Sequence, residues 1–316
     1  MKYGFGVDLG GTTVKLAFFE ESGKLLTKWE IPTARDNGGQ QILPDIAAAI
    51  EDYIAKNNID KTQLVGVGIG VPGPVLPDGT VNKCINLGWG VFNIEKTLSH
   101  LTGLPVKAGN DATVAALGEC WMGGGKGFDT LVFATLGTGV GGGIVVGGQV
   151  LHGTHGAAGE IGHMVLNRDE TEQCGCGKRG CVEQYCSATG IVRLAKKALS
   201  ASTAPSSLRA VDDLSCKAVF DAAAEGDALA QEILEQVYAY LAEFLANICN
   251  VMDPQCVVLG GGVSRAGQPL LDGVRRHFEK YAFHAVTGVE FKLATLGNDA
   301  GAYGAFKLVA GGKYDG

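Results

Sequence analysis

Two stretches of the chain, VDLGGTTVKLAFF from Val7 and ATLGTGVGGGIVV from Ala134, share one pattern of apolar run, glycine-rich turn and apolar run. Each predicts a pair of strands joined by a hairpin turn, with Asp8 and Thr135 in corresponding places, and together they suggest an internal duplication. Glycine supplies 49 of the 316 residues, about twice the usual share of roughly 7%. It clusters beside apolar runs with no collagen or linker repeat, so many backbone positions need positive φ or close approach. With 46% apolar residues, the chain can bury a sizeable core as one large domain or two ordinary ones.

Residues 3–31 read as three short strands, YGFGVDL, VKLAFFE and LLTKWEI, in an antiparallel meander. A helix is expected over about 41–57, where Ile42, Ile46, Ala49, Ile50 and Tyr53 recur at three- and four-residue spacing, followed by a buried strand LVGVGIGV. The order β-β-β-α-β opens an α/β domain. Between Asp129 and Glu160 no side chain is charged, yet glycines at 137, 139, 141, 142, 143, 147 and 148 favour two buried strands over a membrane helix. Further on, an amphipathic helix is expected over about 227–252, stopped at Asp253-Pro254, then a strand CVVLG, a triple-glycine turn and helices from about 267 and 300. The segment 200–213 is expected to be a surface loop with little chemistry.

Net charge is −7 and the pI is near 5.4, so the basic field that phosphate-backbone binding requires is missing and nucleic acid is not an expected partner. The start, MKYGFGVDLGG, lacks a long apolar run; no signal peptide is expected there, and the mature chain is expected to begin at this point. Nine cysteines without a secretion signal fit a reducing cytoplasm better than a disulfide framework.

Two segments satisfy G-x-G-x-x-G, Gly68-Ile-Gly70-Val-Pro-Gly73 and Gly137-Thr-Gly139-Val-Gly-Gly142. Neither opens a helix as a dinucleotide fold demands, and a Walker A loop is absent. What remains is a pair of hairpin turns, 8–15 and 135–142, each offering consecutive backbone N–H groups and small hydroxyls to an anion. Glycines in hairpins also simply make turns. Asp8 and Lys15 add what a turn does not need, a carboxylate suited to Mg²⁺ and a cation near phosphates.

Through DLGGTTVK at 8–15, GNDA at 109–112, LGTGVGGG at 136–143, GEIGHM at 159–164 and CGCGKRGCVE at 174–183, the chain resembles the sugar kinases of the actin/Hsp70/hexokinase fold, and within them the ROK family of sugar kinases and sugar-responsive repressors. The resemblance runs from Asp8 to about Leu308. NLGW at 86–89 is similar to the glucokinase branch, where this segment lines the sugar pocket and so implicates Asn86. ROK repressors carry an N-terminal helix-turn-helix extension; with the phosphate motif starting at residue 8, no such DNA reader is expected here.

The resemblance implies an α/β, actin-like (ribonuclease H-like) two-domain sugar kinase fold with a central cleft, the small domain at 1–108 plus 300–316 and the large one at 109–299. It assigns Asp111 as the base that takes the proton of the sugar hydroxyl. Asp111 precedes a helix and could be only its cap; the tripeptide recurs at Asn298-Asp299-Ala300, where capping explains Asp299 entirely. Asp8, Gly10, Gly11, Thr12, Thr13, Lys15, Gly137, Thr138 and Gly139 are expected to hold ATP phosphates with Mg²⁺, and Gly260, Gly261 and Gly262 to lie near the adenosine.

Cys174, Cys176 and Cys181 with His163 upstream form a Cys₃His set matching a closed tetrahedral Zn²⁺ site. Cys186 is a possible substitute ligand, while Cys84, Cys120, Cys216, Cys249 and Cys256 are expected to fill core. Glu160 lies three residues before His163 and Glu183 two after Cys181, on one side of a segment expected to be extended. With Asn110 and Asp111 these carboxylates and His163 would clamp a hexose, the family's sugar contacts. Loss of Cys181 is expected to loosen Glu183 while leaving the hairpins, taken as distant, intact. The implied function is ATP-dependent phosphorylation of glucose at its 6-hydroxyl in the cytoplasm by a homo-oligomer, dimer or tetramer. Another hexose or N-acetylhexosamine as acceptor, or a catalytically silent sugar sensor, are the alternatives.

Overall fold

The computed structural model describes residues 1–311. In chain order the elements are β1 (Tyr3–Leu9), β2 (Thr13–Glu20), β3 (Leu25–Pro32), a short turn of helix α1 (Asp36–Gly39), α2 (Ile42–Lys56), β4 (Leu64–Val71), β5 (Thr80–Cys84), β6 (Trp89–Asn93), α3 (Ile94–Thr102), β7 (Val106–Asn110) and α4 (Asp111–Met122). There follow β8 (Leu131–Leu136), β9 (Val140–Val146), β10 (Gln149–Val150), α5 (Glu183–Cys186), α6 (Ala188–Ala201), α7 (Cys216–Ala224), α8 (Ala228–Met252), β11 (Cys256–Gly260), α9 (Gln268–Phe278), β12 (Glu290–Leu293) and α10 (Ala300–Ala310). The three-strand meander, the first helix, the long helix ending before Pro254 and the last two helices stand where apolar periodicity places them. No helix among the described residues is long and apolar enough to cross a membrane.

The internal repeat is visible in the topology. One sheet has the order β3-β2-β1-β4-β7 and another β10-β9-β8-β11-β12. In each, a hairpin is extended by parallel strands, and the residue before the last of the hairpin's first strand faces a glycine across the parallel pair: Asp8 faces Gly70 and Thr135 faces Gly260.

Two compact units emerge, one of Met1–Asp129, Gly143–Gly159 and Leu296–Gly316, the other of Thr130–Gly142 and Glu160–Thr295; residues 312–316 lie outside those described. The sequence-based division at 108/109 groups α4 with the second part of the chain, whereas here it falls in the first unit. The reason is packing between small residues: a Cβ at Gly304 of α10 would lie 1.6 Å from the Val114 carbonyl oxygen of α4. The same helix lies on β4, where a Cβ at Gly68 would be 1.6 Å from the Ala305 carbonyl oxygen. Only glycine permits either approach.

Phe5, Val7, Leu16, Ile46, Ile50, Val67 and Ile69 are fully buried and build the core between the first unit's sheet and α2. In the second unit α8 contributes Ile233, Val237, Leu241, Leu245 and Ile248 against Val132, Val257 and Leu259, the stripe its three- and four-residue spacing dictates. Asp227 caps that helix, its carboxylate accepting from the Ala230 N–H.

Candidate active site

In the first unit the parallel strands β1, β4 and β7 end in register, with Asp8 facing Gly70 and Gly70 facing Gly109. The carboxyl ends of parallel strands, where backbone and small residues leave room, are where open α/β sheets bind ligands. Asp8 and Lys15 are directly opposed across the β1-β2 hairpin, and Lys15 Nζ lies 3.6 Å from Asp8 Oδ2. Burial pushes the Asp8 carboxyl above its ordinary range, and Lys15 offsets only part of this. Between them the turn Gly10-Gly11-Thr12 is held by a residue that motif reading does not flag: Thr33 donates its N–H to the Thr12 carbonyl and its hydroxyl to the Gly10 carbonyl at 2.8 Å. A lone threonine at the end of an edge strand carries no sequence signal.

Asn110, the last residue of β7, is the N-cap of α4: its Oδ1 accepts from the Thr113 N–H at 3.1 Å, and its Nδ2 donates to the Gly73 carbonyl at 3.3 Å. Asp111 is therefore the first helical residue rather than the cap, with Oδ1 accepting its neighbour Ala112 N–H at 2.8 Å. The recurrence at Asn298-Asp299 behaves differently from expectation. Asp299 makes no side-chain cap; its carboxylate accepts from Lys28 Nζ at 2.8 and 3.0 Å, because the tripeptide here sits in a 3₁₀ turn whose Asp299 backbone is already helical. Asn86 is exposed in a 3₁₀ turn, two residues after Cys84, which packs against Gly73 and thereby places this turn beside the Asn110 contact.

The second unit brings the remaining residues together around the turn Gly137-Thr138-Gly139. Gly261, at φ +80°, lies against Leu136: an added Cβ would be 2.5 Å from the Leu136 carbonyl oxygen, so Gly260, Gly261 and Gly262 border the turn from β11. Glu160 and His163 are joined by one 3₁₀ turn. Glu183 opens α5, correcting the extended segment expected there. It also reaches the hairpin: Glu183 Oε2 accepts the Val140 N–H at 3.0 Å, and a Cβ at Gly139 would lie 2.2 Å from that oxygen. The hairpin at 135–142 is thus bonded to the loop carrying Glu183, not remote from it. An open groove of about 960 Å³ is lined by Thr138, Ala188, Thr189, Val192, Lys196 and Leu214.

His163, Cys174, Cys176 and Cys181 place one ligand atom each within 4.8 Å of all the others. The Cys174 Sγ to His163 Nδ1 distance is 3.8 Å and the Cys176 Sγ to Cys181 Sγ distance 3.6 Å. Tetrahedral zinc with bonds of about 2.3 Å to sulfur and 2.0 Å to nitrogen spaces its ligands about 3.5–3.8 Å apart, so the donor set fits. Cys186 is no part of the cluster; it is fully buried among apolar side chains. None of the nine cysteines is in a disulfide. The loop is pinned by Glu170, buried beside the Arg193 guanidinium, which holds its carboxyl well below the usual range; Glu170 also accepts from the Tyr185 hydroxyl at 2.6 Å.

A glucokinase of Halalkalibacterium halodurans is 44% identical over 309 residues, covering 96% of this chain and 94% of that protein. A glucokinase of Thermotoga maritima is 36% identical over 310 residues, covering 96% of each. The crystal structure of a ROK family glucokinase from Streptomyces griseus in complex with glucose and AMPPNP superimposes with a TM-score of 0.76 at 33% identity, over 98% of this chain and 100% of that one. The ROK family model matches residues 4–311, nearly the whole chain, and this chain belongs to the ROK family.

Proposed function

We propose that the protein is an ATP-dependent glucokinase, transferring the γ-phosphoryl group to the 6-hydroxyl of glucose. The observation that carries this is the placement of Asp8 and Asp111 at the carboxyl ends of the parallel strands β1 and β7, with Lys15 opposite Asp8 on the antiparallel strand β2, in a chain 44% identical to a glucokinase over nearly its whole length. Asp111 orients the sugar hydroxyl and takes its proton as the new P–O bond forms. The turn Gly10–Thr13 of the first unit and the turn Gly137–Gly139 of the second each offer backbone N–H groups to phosphate, and the groove lined by Thr138 offers room for the base and ribose. Asp8 is the carboxylate positioned to hold Mg²⁺, directly or through water; when bound, that ion neutralises charge on the transferring phosphate.

The sugar ligands in this reading are Asn86, Asn110 and Asp111 of the first unit and Glu160, His163 and Glu183 of the second. The Cys₃His set holds a structural Zn²⁺ with no open position, so it shapes the sugar loop and leaves phosphoryl transfer to the carboxylates. Nine cysteines with no disulfide among them accord with a reducing, cytoplasmic setting.

The test is a steady-state panel of acceptors with ATP, read through ADP release. Glucose gives the highest kcat/KM, and 6-deoxyglucose binds without turnover. A site that pairs its buried polar groups with each ring hydroxyl penalises an analogue lacking one by up to about 10⁴-fold. A higher kcat/KM for fructose or N-acetylmannosamine moves the assignment to another hexose kinase; no ADP release with any sugar overturns it.

A further inference from the structure

The segment that carries Glu183 is fastened to the phosphate turn by three bonds, all inside the second unit. Glu183 Oε2 accepts the Val140 N–H at 3.0 Å, the Ala188 N–H donates to the Gly137 carbonyl at 2.8 Å, and the Thr189 hydroxyl donates to the Thr138 carbonyl at 2.7 Å. Ser187, fully buried, lies between: its hydroxyl donates to the Glu183 carbonyl at 2.7 Å and stands 3.0 Å from the Thr189 hydroxyl.

Two hydroxyl protons therefore serve three contacts. If the Thr138 carbonyl turns away, Thr189 can donate to Ser187; if the Glu183 backbone moves, Ser187 can donate to Thr189. A displacement at either end turns that end's proton into the shared Ser187–Thr189 contact, where it polarises the hydroxyl still donating at the other end and strengthens that bond, which is the kind of physical link that coupling between two sites uses. Glu183 adds a second link, because its carboxylate sits on a backbone donor next to the turn that faces phosphate. A sugar hydroxyl donating to Glu183 would share that carboxylate with the Val140 N–H, so the strength of one bond bears on the other.

The geometry points to Ser187 and Thr189 as positioning residues that couple the two substrates, so that glucose bound at Glu183 tightens nucleotide binding at Gly137–Gly139, and the reverse. This rests on the glucokinase reading of both sites. Neither residue is required to touch glucose; Thr189 also lines the groove proposed for the nucleotide, so the coupling is read at saturating nucleotide, where a direct effect on nucleotide affinity drops out. Thr189 is the better handle, since it is exposed, whereas Ser187 also caps α6 by accepting the Gly190 N–H at 2.9 Å.

Calorimetric titration of glucose with and without a saturating, non-hydrolysable ATP analogue and Mg²⁺ tests this. Wild type shows tighter glucose binding with nucleotide, by a factor of order 5–150, and the same factor appears when nucleotide is titrated with and without glucose. In Thr189→Val the factor falls to within about twofold of unity, while glucose affinity measured alone changes less than about threefold; Thr189→Ser, which keeps the hydroxyl, retains the wild-type factor. Coupling unchanged in Thr189→Val overturns the proposal, as does a wild type that binds both ligands without coupling. A wild type that binds neither ligand overturns the glucokinase reading and the coupling with it.

Discussion

The Asn110 Oδ1 accepts the Thr113 N–H at 3.1 Å, so the residue before the proposed base caps α4 and leaves Asp111 outside that duty. The two neighbours are separable by mutation. Asp111→Asn keeps the cap, the fold and glucose binding, and lowers kcat by about 10²–10⁴-fold, because the amide retains shape but takes no proton. Asn110→Ala removes a cap worth about 1 kcal/mol and lowers thermal stability. Full turnover in Asp111→Asn would exclude it as the base.

Asp299 occupies the equivalent place in the recurring tripeptide and serves as the control. Its carboxylate is engaged by Lys28 on a partly exposed surface, where ion pairs contribute little. Asp299→Asn leaves kcat within about twofold of wild type. A loss comparable to that of Asp111→Asn means the assignment of the base between the two is mistaken.

For Asp8 the folded-state carboxyl is raised above the ordinary aspartate value by burial, against the pull of Lys15. A raised pKa favours the protonated folded form, so this contribution to stability is present at low pH and lost as pH rises through the folded-state value. At pH 7 the charge is kept at a cost in stability. Asp8→Asn accordingly melts higher than wild type at pH 7, with the gap closing as pH falls toward 4, while kcat/KM for ATP drops by about 10²–10³-fold. A variant that melts lower at pH 7 shows that the Lys15 pairing outweighs burial.

Elemental analysis should find one zinc per chain, since the ligand atoms of His163, Cys174, Cys176 and Cys181 are close enough together to share one ion. Cys181→Ala loses the metal and raises KM for glucose through Glu183; because Glu183 also holds the Val140 N–H, KM for ATP rises too, by a smaller factor. Active enzyme without zinc refutes the site, and equal rises in both KM values point to general damage.

Much of the fold was legible from periodicity: the meander at 3–32, α2, α8 and the two glycine hairpins all follow from apolar spacing and turn chemistry. The Cys₃His cluster was legible because three cysteines within eight glycine-rich residues have little packing use. What the sequence hid are relations made by the folded backbone. Nothing in the spelling of Thr33 ties it to Gly10, and nothing in Asn298-Asp299 distinguishes a 3₁₀ approach from the extended N-cap at Asn110. The reach of Glu183 to Val140 depends on α5 being helical, which four residues beside a metal loop do not announce.

The last helix has an implication for how the chain is made. α10 covers glycines of β4 and α4 at backbone contact distance, so the first unit cannot close when its own first 129 residues leave the ribosome. Its sheet must wait, with that face bare, through the synthesis of the entire second unit until residues near 300 appear. The N-terminal half is then the last part of the protein to finish folding, and a nascent chain stalled before Leu296 presents a half-covered sheet on which chaperones, or other unfinished chains, can settle.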